Sequence, residues 1–258
     1  MEQRFTFDQA AAAYTAARPD YPEALVDDVV SFAGLSPGDA VLEIGCGSGQ
    51  ATKSFAARGF RVLAIDPGTQ LIRAARESLA KFGNVELLET TFEAWPATPA
   101  AFRLVAAAQS WHWVSRDMRL AKAAEVLAPG GALVVFGNVP VGLPASLLGD
   151  FKEIYLRRTG VWGPPPEAWY LPGGPLSGEL ADTGMFGPAT HKAYPWKRPY
   201  TTSSYCTFLT TRSDHRMLAP PAREALLDEV ARSIDKHGGA FEMDYETHLY
   251  MCRRVDRA

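Results

Sequence analysis

Glu43, Gly45, Gly47, Gly49 and Asp66 are the residues of this chain whose types and spacing carry chemistry. They begin in the stretch VLEIGCGSGQ, residues 41–50, where a short apolar run holding an acidic residue meets three glycines at alternate positions and then a helical pattern. That order describes a strand turning sharply into a helix at a nucleotide site. Glycine is required there because the turn needs backbone angles that a Cβ forbids and because a ligand must approach the main chain closely. The register disfavours one class of ligand, the dinucleotide of an NAD-dependent dehydrogenase, which stays as a third and weaker reading. A dinucleotide loop reads G-x-G-x-x-G, whereas Gln50 stands where the third glycine should fall and Gly49 comes one position early. Asp66 ends a second apolar run and precedes Pro67-Gly68. About twenty residues past the first glycine, one carboxylate there can grip both hydroxyls of a ribose. Asp also serves as an ordinary helix cap, and the glycine loop before it is what favours the ribose.

These residues need a frame of strands and helices. Apolar runs at 40–44, 61–65, 85–88, 102–108 and 132–136 alternate with helical patterns near 50–57, 70–81 and 118–127. Such alternation implies right-handed crossovers, a parallel sheet with helices on both faces, and ligands at the carboxyl ends of the strands. Helices over 7–17 and from Pro22 to about residue 33 precede the first strand. A strand at 190–196, a helix at 221–236 and a last strand at 240–252 close the chain. Between them, 138–187 breaks the alternation with seven prolines and the aromatics Trp162, Trp169 and Tyr170. The expectation is an insertion of short helices and ordered loops, either a lid at the active-site end of the sheet or a rigid surface loop packed on its tryptophans.

Composition narrows the partners. A formal net charge of -3 gives no electrostatic reason to expect a nucleic-acid partner. Cys46, Cys206 and Cys252 lie far apart without a C-x-x-C, so neither a disulfide framework nor a metal site is indicated, and reduced cytoplasmic thiols are expected. The chain opens without a basic-then-apolar leader and holds no apolar run of membrane-spanning length.

Several of these pieces resemble, in order, the class I S-adenosylmethionine-dependent methyltransferases. E-x-G-x-G-x-G at 43–49 is similar to the family's first motif. Residues 7–22, with Tyr14, Arg18-Pro19 and Tyr21-Pro22, resemble an N-terminal F-x-x-x-A-x-x-Y-x-x-x-R-P-x-Y-P element that caps the cofactor. Leu127-Ala128-Pro129-Gly130-Gly131 is similar to the L-x-P-G-G turn before strand five, and Gln109-Ser110-Trp111-His112-Trp113 resembles a segment of the trans-aconitate methyltransferase-like branch. The resemblance implies a single domain over 1–258, cap helices in 1–33 and the 138–187 insertion as a lid. Its fold would be a Rossmann-like doubly wound sheet of seven strands with an antiparallel last strand. It implies S-adenosylmethionine as cofactor, S-adenosylhomocysteine as its product and a small-molecule acceptor, with neither nucleic acid nor membrane as partner.

Carried over by residue, it puts Gly45, Gly47 and Gly49 against the methionine part, Asp66 with Pro67 at the ribose, and Glu43 at the cofactor's amino group. Phe92 and Glu93 fall where the family lines the adenine pocket, although the usual acidic-then-small pair is replaced. Gln109 falls at the methionine end, and Tyr14 and Arg18 would close the site, Arg18 being equally suited to a surface ion pair or a packing stem. His112 is the candidate base for an acceptor that must lose a proton, and a histidine between two tryptophans is also a structural element. His191, His215, His237 and His248 show no spacing with acidic residues that stands out from chance. The sequence D/N-P-P-Y is absent after strand four, and so is any Pro-Cys pair, which sets aside the usual amino-methylating machinery for bases and the cysteine nucleophile of cytosine methylation. A non-catalytic protein of the same fold, serving as a binding or regulatory partner, is the alternative.

Overall fold

The computed structural model describes residues 18–181 and 184–255; the expected helix at 7–17 and Tyr14 lie outside the described residues. The elements are α1 (Glu23–Ala33), β1 (Ala40–Ile44), α2 (Gln50–Ala57), β2 (Arg61–Asp66), α3 (Thr69–Ser78), β3 (Val85–Glu89), β4 (Phe102–Ala108), α4 (Arg116–Val126), β5 (Leu127–Gly142), α5 (Ala145–Thr159), α6 (Pro175–Glu179), β6 (Thr190–Thr201), α7 (Thr202–Thr210), α8 (Ser213–Arg216), α9 (Pro220–Lys236) and β7 (Ala240–Arg253). Short 3-10 turns lie at Trp111–Trp113 and Pro166–Tyr170. The strands form one seven-stranded sheet in the order β3-β2-β1-β4-β5-β7-β6. β1 pairs in parallel with β2 and β4, and β2 with β3 and β4 with β5 do the same. The last strand is antiparallel, as expected, so the sheet is mixed.

The chain divides into two compact units. The larger comprises Pro19–Asn138, Trp169–Tyr194 and the segment from Thr247 onward. Its core joins Leu25, Val29, Phe55 and Ile72 of the helices to Val41, Val62, Leu104, Val134 and Phe136 of the strands. Leu104, Val105, Ala106 and Ala107 are consecutive and all fully buried. Alternate residues of a strand point to opposite faces, so an unbroken buried run means that both faces of β4 are covered, as parallel strands require. The smaller unit takes Val139–Ala168 and Pro195–Glu246, with Arg18. Its core is more aromatic: Phe151, Tyr200, Tyr205 and Phe208 pack with Leu147, Leu226, Val230 and Met243.

Two elements differ from the sequence expectation. The 138–187 stretch contains a continuous 15-residue helix, α5. Its prolines flank that helix: Pro144 precedes the first turn, where a missing N–H costs nothing, and Gly160 ends it at φ +74°. The L-x-P-G-G turn is part of a longer strand. Phe102 pairs with Leu127 while Leu104 pairs with Ala132, so the intervening residues form a bulge with Gly130 at φ +67°. At the other side of the sheet, β6 is an edge strand carrying Lys192, Pro195, Lys197 and Pro199, residues that discourage pairing with another chain.

In the larger unit, one buried ion pair holds the turn after β4. The guanidinium of Arg119 donates to Glu179 through Nε at 2.7 Å and also through Nη2, and its Nη1 donates to the carbonyls of Trp111 (2.8 Å) and Val114 (3.1 Å). The indole of Trp111 donates to the same carboxylate at 3.1 Å. Both charged side chains are 6% exposed. Burial of two charges is tolerated only when their remaining bonds are met, as here. Glu179→Gln would leave the guanidinium buried without its countercharge, and thermal or denaturant unfolding should show a loss of about 3–5 kcal/mol. A change below about 0.5 kcal/mol would mean that the pair does not hold this turn.

Candidate active site

Around the glycine loop, the main chain is tied both to itself, the N–H of Gly49 donating to the carbonyl of Cys46 at 2.9 Å, and to β2. The N–H groups of Gly45 and Cys46 both donate to the carbonyl of Ile65, at 2.8 and 3.1 Å. Gly45, Gly47 and Gly49 have φ of +69°, +56° and +92°, a region costly for any residue with a Cβ. Gly45 is doubly constrained, since a Cβ there would stand 2.4 Å from the Cβ of Ser110. The Ser110 hydroxyl donates to the carbonyl of Ile44, binding the end of β4 to the end of β1.

Asp66 ends β2, as expected for a ribose ligand, and it also shapes the loop. One carboxylate oxygen accepts from the N–H of Gly47 at 2.9 Å and the other from Gly68 at 2.8 Å, closing a turn across Pro67. Glu43 is 1% exposed, and neither of its oxygens has a hydrogen-bond partner among the described residues. Burial raises its carboxyl to about 8; the nearby Thr52 hydroxyl opposes that rise and the Asp66 carboxylate adds to it. Cys46 is buried in the same loop, and burial first, then Asp66 and Glu43, push its thiol well above the usual range, as suits a packing residue rather than a nucleophile.

Gln109 stands at the end of β4 with φ +53°, unusual for a residue that is not glycine. Its N–H donates to Phe136 at 2.8 Å and its side-chain amide to the carbonyl of Asn138 at 3.2 Å. Non-glycine residues held in that region cluster at binding sites. His112 sits in the 3-10 turn, its Nδ1 3.1 Å from the Tyr170 hydroxyl and its ring 4.5 Å from Trp113 and 5.6 Å from Trp169 between centroids. Burial, then the Arg119 charge, lower its imidazole to about 4, so it is neutral at pH 7. A base that weak has little driving force to take a proton from a phenol or an ammonium group.

The other sequence-predicted residues are engaged in packing. Phe92 is buried in a stack with Trp95, with the Lys122 ammonium 5.2 Å from its ring centroid. The Glu93 carboxylate accepts from the N–H of Ser115, at the start of α4. Arg18 belongs to the smaller unit, where it donates to the carbonyl of Thr211 at 3.0 Å and stacks over Phe208. Three basic residues of the smaller unit are partnered as well: Arg157 and Arg158 both meet Glu229, and Lys197 meets Glu242 and Asp244. Ser110, Thr52 and the Arg119–Glu179 pair escaped the sequence reading. Ser110 lay inside a quoted motif, but nothing in the order of residues shows that its side chain fills the space of a missing Cβ.

The comparisons with known proteins agree with this geometry. Residues 41–131, from β1 through the bulge of β5, match the model of a family described as a methyltransferase domain. An uncharacterized methyltransferase of Mycobacterium tuberculosis is 33% identical over 137 residues, which cover 53% of this chain and 54% of that protein, so the likeness spans about half the length of the relative. Among solved structures, a protein from Anaeromyxobacter dehalogenans assigned to the type II methyltransferases covers 92% of this chain and 97% of its own at 20% identity, with a TM-score of 0.61. Phosphoethanolamine N-methyltransferase 2 of Haemonchus contortus, solved with S-adenosylhomocysteine, covers 99% of this chain and 61% of its own at 16% identity, with a TM-score of 0.57. Residues 41–131 thus match a methyltransferase domain, and the strand order and glycine loop are those of the class I S-adenosylmethionine-dependent methyltransferase fold.

Proposed function

We propose that the protein transfers the methyl group of S-adenosylmethionine to a small-molecule acceptor. The observation that carries this reading is Glu43: a carboxyl buried at the glycine turn, with neither oxygen hydrogen-bonded among the described residues. Burying such a group unmet is costly, and a cationic amino group beside it would remove the cost. The cofactor has that cation, and its ribose diol suits Asp66 with Pro67. The loop glycines allow its methionine part to approach the backbone, with Gln109 at the same end. When bound, its sulfonium offers an electrophilic methyl group for in-line displacement. The chain's own part is to orient that group and exclude water.

His112, neutral and bonded to Tyr170, supports a hydrogen-bonding or positioning role more than that of a strong base. A formal charge of -3 favours a small acceptor over a polyanion. No helix among the described residues is long and apolar enough to cross a membrane.

Calorimetric titration with S-adenosylmethionine, S-adenosylhomocysteine and NAD tests the reading. Wild type should bind the first two and not the third, and Asp66→Ala should weaken them by at least about tenfold. Because both Asp66 oxygens also hold the loop, Asp66→Asn keeps one acceptor and turns the other into a donor facing a backbone N–H, so thermal unfolding must show that each variant folds before its loss of affinity is read. Absence of binding to either sulfur ligand would sink the proposal. Glu43 gives a second signature. Its carboxyl is largely protonated at pH 7, and a cation against it favours the carboxylate, so binding should release up to about one proton, a release that Glu43→Gln abolishes. Titrations in buffers of different ionisation enthalpy measure it, and equal proton release in the variant would exclude Glu43 as its source.

For His112, native-state NMR should place the titration midpoint near 4. Between there and 6.5 the unfolded chain binds the extra proton and the folded one does not, so wild type should lose stability relative to His112→Gln as pH falls through that window. A difference that stays flat with pH would contradict the neutral, buried imidazole.

A further inference from the structure

The smaller unit lines an open cavity of about 600 Å³, in the size range of small-molecule sites. Its walls are mainly apolar, with Phe151, Trp162, Phe208, Leu218 and Met243 among them. The polar groups that reach it are linked to one another. Asp214 accepts at one oxygen from the N–H of His215 (3.0 Å) and lies 2.9 Å from that residue's ring Nδ1. On the far side of the ring, His215 Nε2 lies 2.7 Å from the hydroxyl of Tyr155. Arg212 binds Asp214 through Nε at 3.2 Å and Nη2 at 3.1 Å, and Glu167 through Nη1 at 3.0 Å.

The direction of these bonds follows from the charges. Burial alone would raise the Asp214 carboxyl, but the His215 hydrogen bond and the Arg212 guanidinium outweigh it and hold the group well below the usual range. An ionised carboxylate only accepts, so Nδ1 of His215 carries the proton. Whenever the imidazole carries only that one proton, Nε2 is an acceptor and the Tyr155 hydroxyl donates to it. That leaves the Tyr155 oxygen as a hydrogen-bond acceptor at the wall of a mainly apolar cavity, where Asp214, His215 and Arg212 are already bonded to one another.

We propose that this cavity binds a flat, mainly apolar molecule bearing one hydroxyl, of the phenol or naphthol class, whose O–H donates to the oxygen of Tyr155. The aromatic rings of Phe151, Trp162, Tyr205 and Phe208 suit an aromatic guest. Asp214 and His215 act as positioning residues, fixing the hydrogen-bond direction at Tyr155. Every residue in this inference belongs to the smaller unit, so it does not rest on the reading of the glycine loop.

The experiment is equilibrium binding of 2-naphthol, 2-methoxynaphthalene and naphthalene to the protein without cofactor. 2-Naphthol should bind at least about tenfold more tightly than its methyl ether, the worth of one buried hydrogen bond. Tyr155→Phe keeps the ring and should erase that preference while leaving naphthalene unchanged, and His215→Gln should reduce it. Circular dichroism and thermal unfolding would establish that both variants fold. Failure of all three compounds to bind, or a preference for 2-naphthol that survives Tyr155→Phe, would overturn the proposal, whatever the outcome with S-adenosylmethionine.

Discussion

The larger unit depends on how the chain leaves β1. Between Ile44 and Gln50 it must reverse from a strand into a helix while β2 and β4 lie on either side. Three residues with positive φ make the reversal, and the N–H groups it frees are taken up by Ile65 and Asp66 of β2. Ser110, following β4, occupies the room where a Cβ at residue 45 would be. The ends of three parallel strands thus share one set of contacts. A side chain at Gly45 would disturb all of them, which is why the restriction is steric as well as conformational.

That closure explains the electrostatics beneath it. Glu43 is buried at the end of β1 with Asp66 nearby, and its burial outweighs the opposing Thr52 hydroxyl, so it holds its proton up to about 8. Elsewhere the chain buries charge in the opposite way. Arg119 with Glu179, and Arg212 with Asp214 and Glu167, are hydrogen-bonded pairs whose ionised forms are supported from several directions. Attraction within such pairs offsets a desolvation penalty of several kcal/mol per ion, whereas a lone buried carboxylate has nothing to set against it. The contrast separates groups that hold the structure from the carboxyl that the proposed cofactor's cation would meet.

His112 illustrates how surroundings assign a role. Its position after β4 and its ordinary titration range make it a natural base, but the aromatic rings of Trp113, Trp169 and Tyr170 remove it from water and the Arg119 guanidinium repels a second cation. The imidazole is therefore a hydrogen-bonding group set by its neighbours.

Local order made much of the larger unit legible. Apolar runs bounded by turn residues marked β1 to β4, and the glycine spacing with an acidic residue after the second strand marked the loop and Asp66, because strand period, turn chemistry and backbone freedom are properties of neighbouring residues. Proline content concealed α5, since composition does not distinguish prolines that flank a helix from prolines that interrupt one. Only the tertiary structure decided which polar groups meet. Glu179 reaches Arg119 across 60 positions, Tyr170 reaches His112 across 58, and Tyr155 reaches His215 across 60. Hydrogen-bond direction, burial and the resulting protonation states are set by these long-range contacts. The sequence by itself determined the strand-loop-helix frame and the type of cofactor site; the fold decided which side chains there are charged, which are neutral and which are already in use.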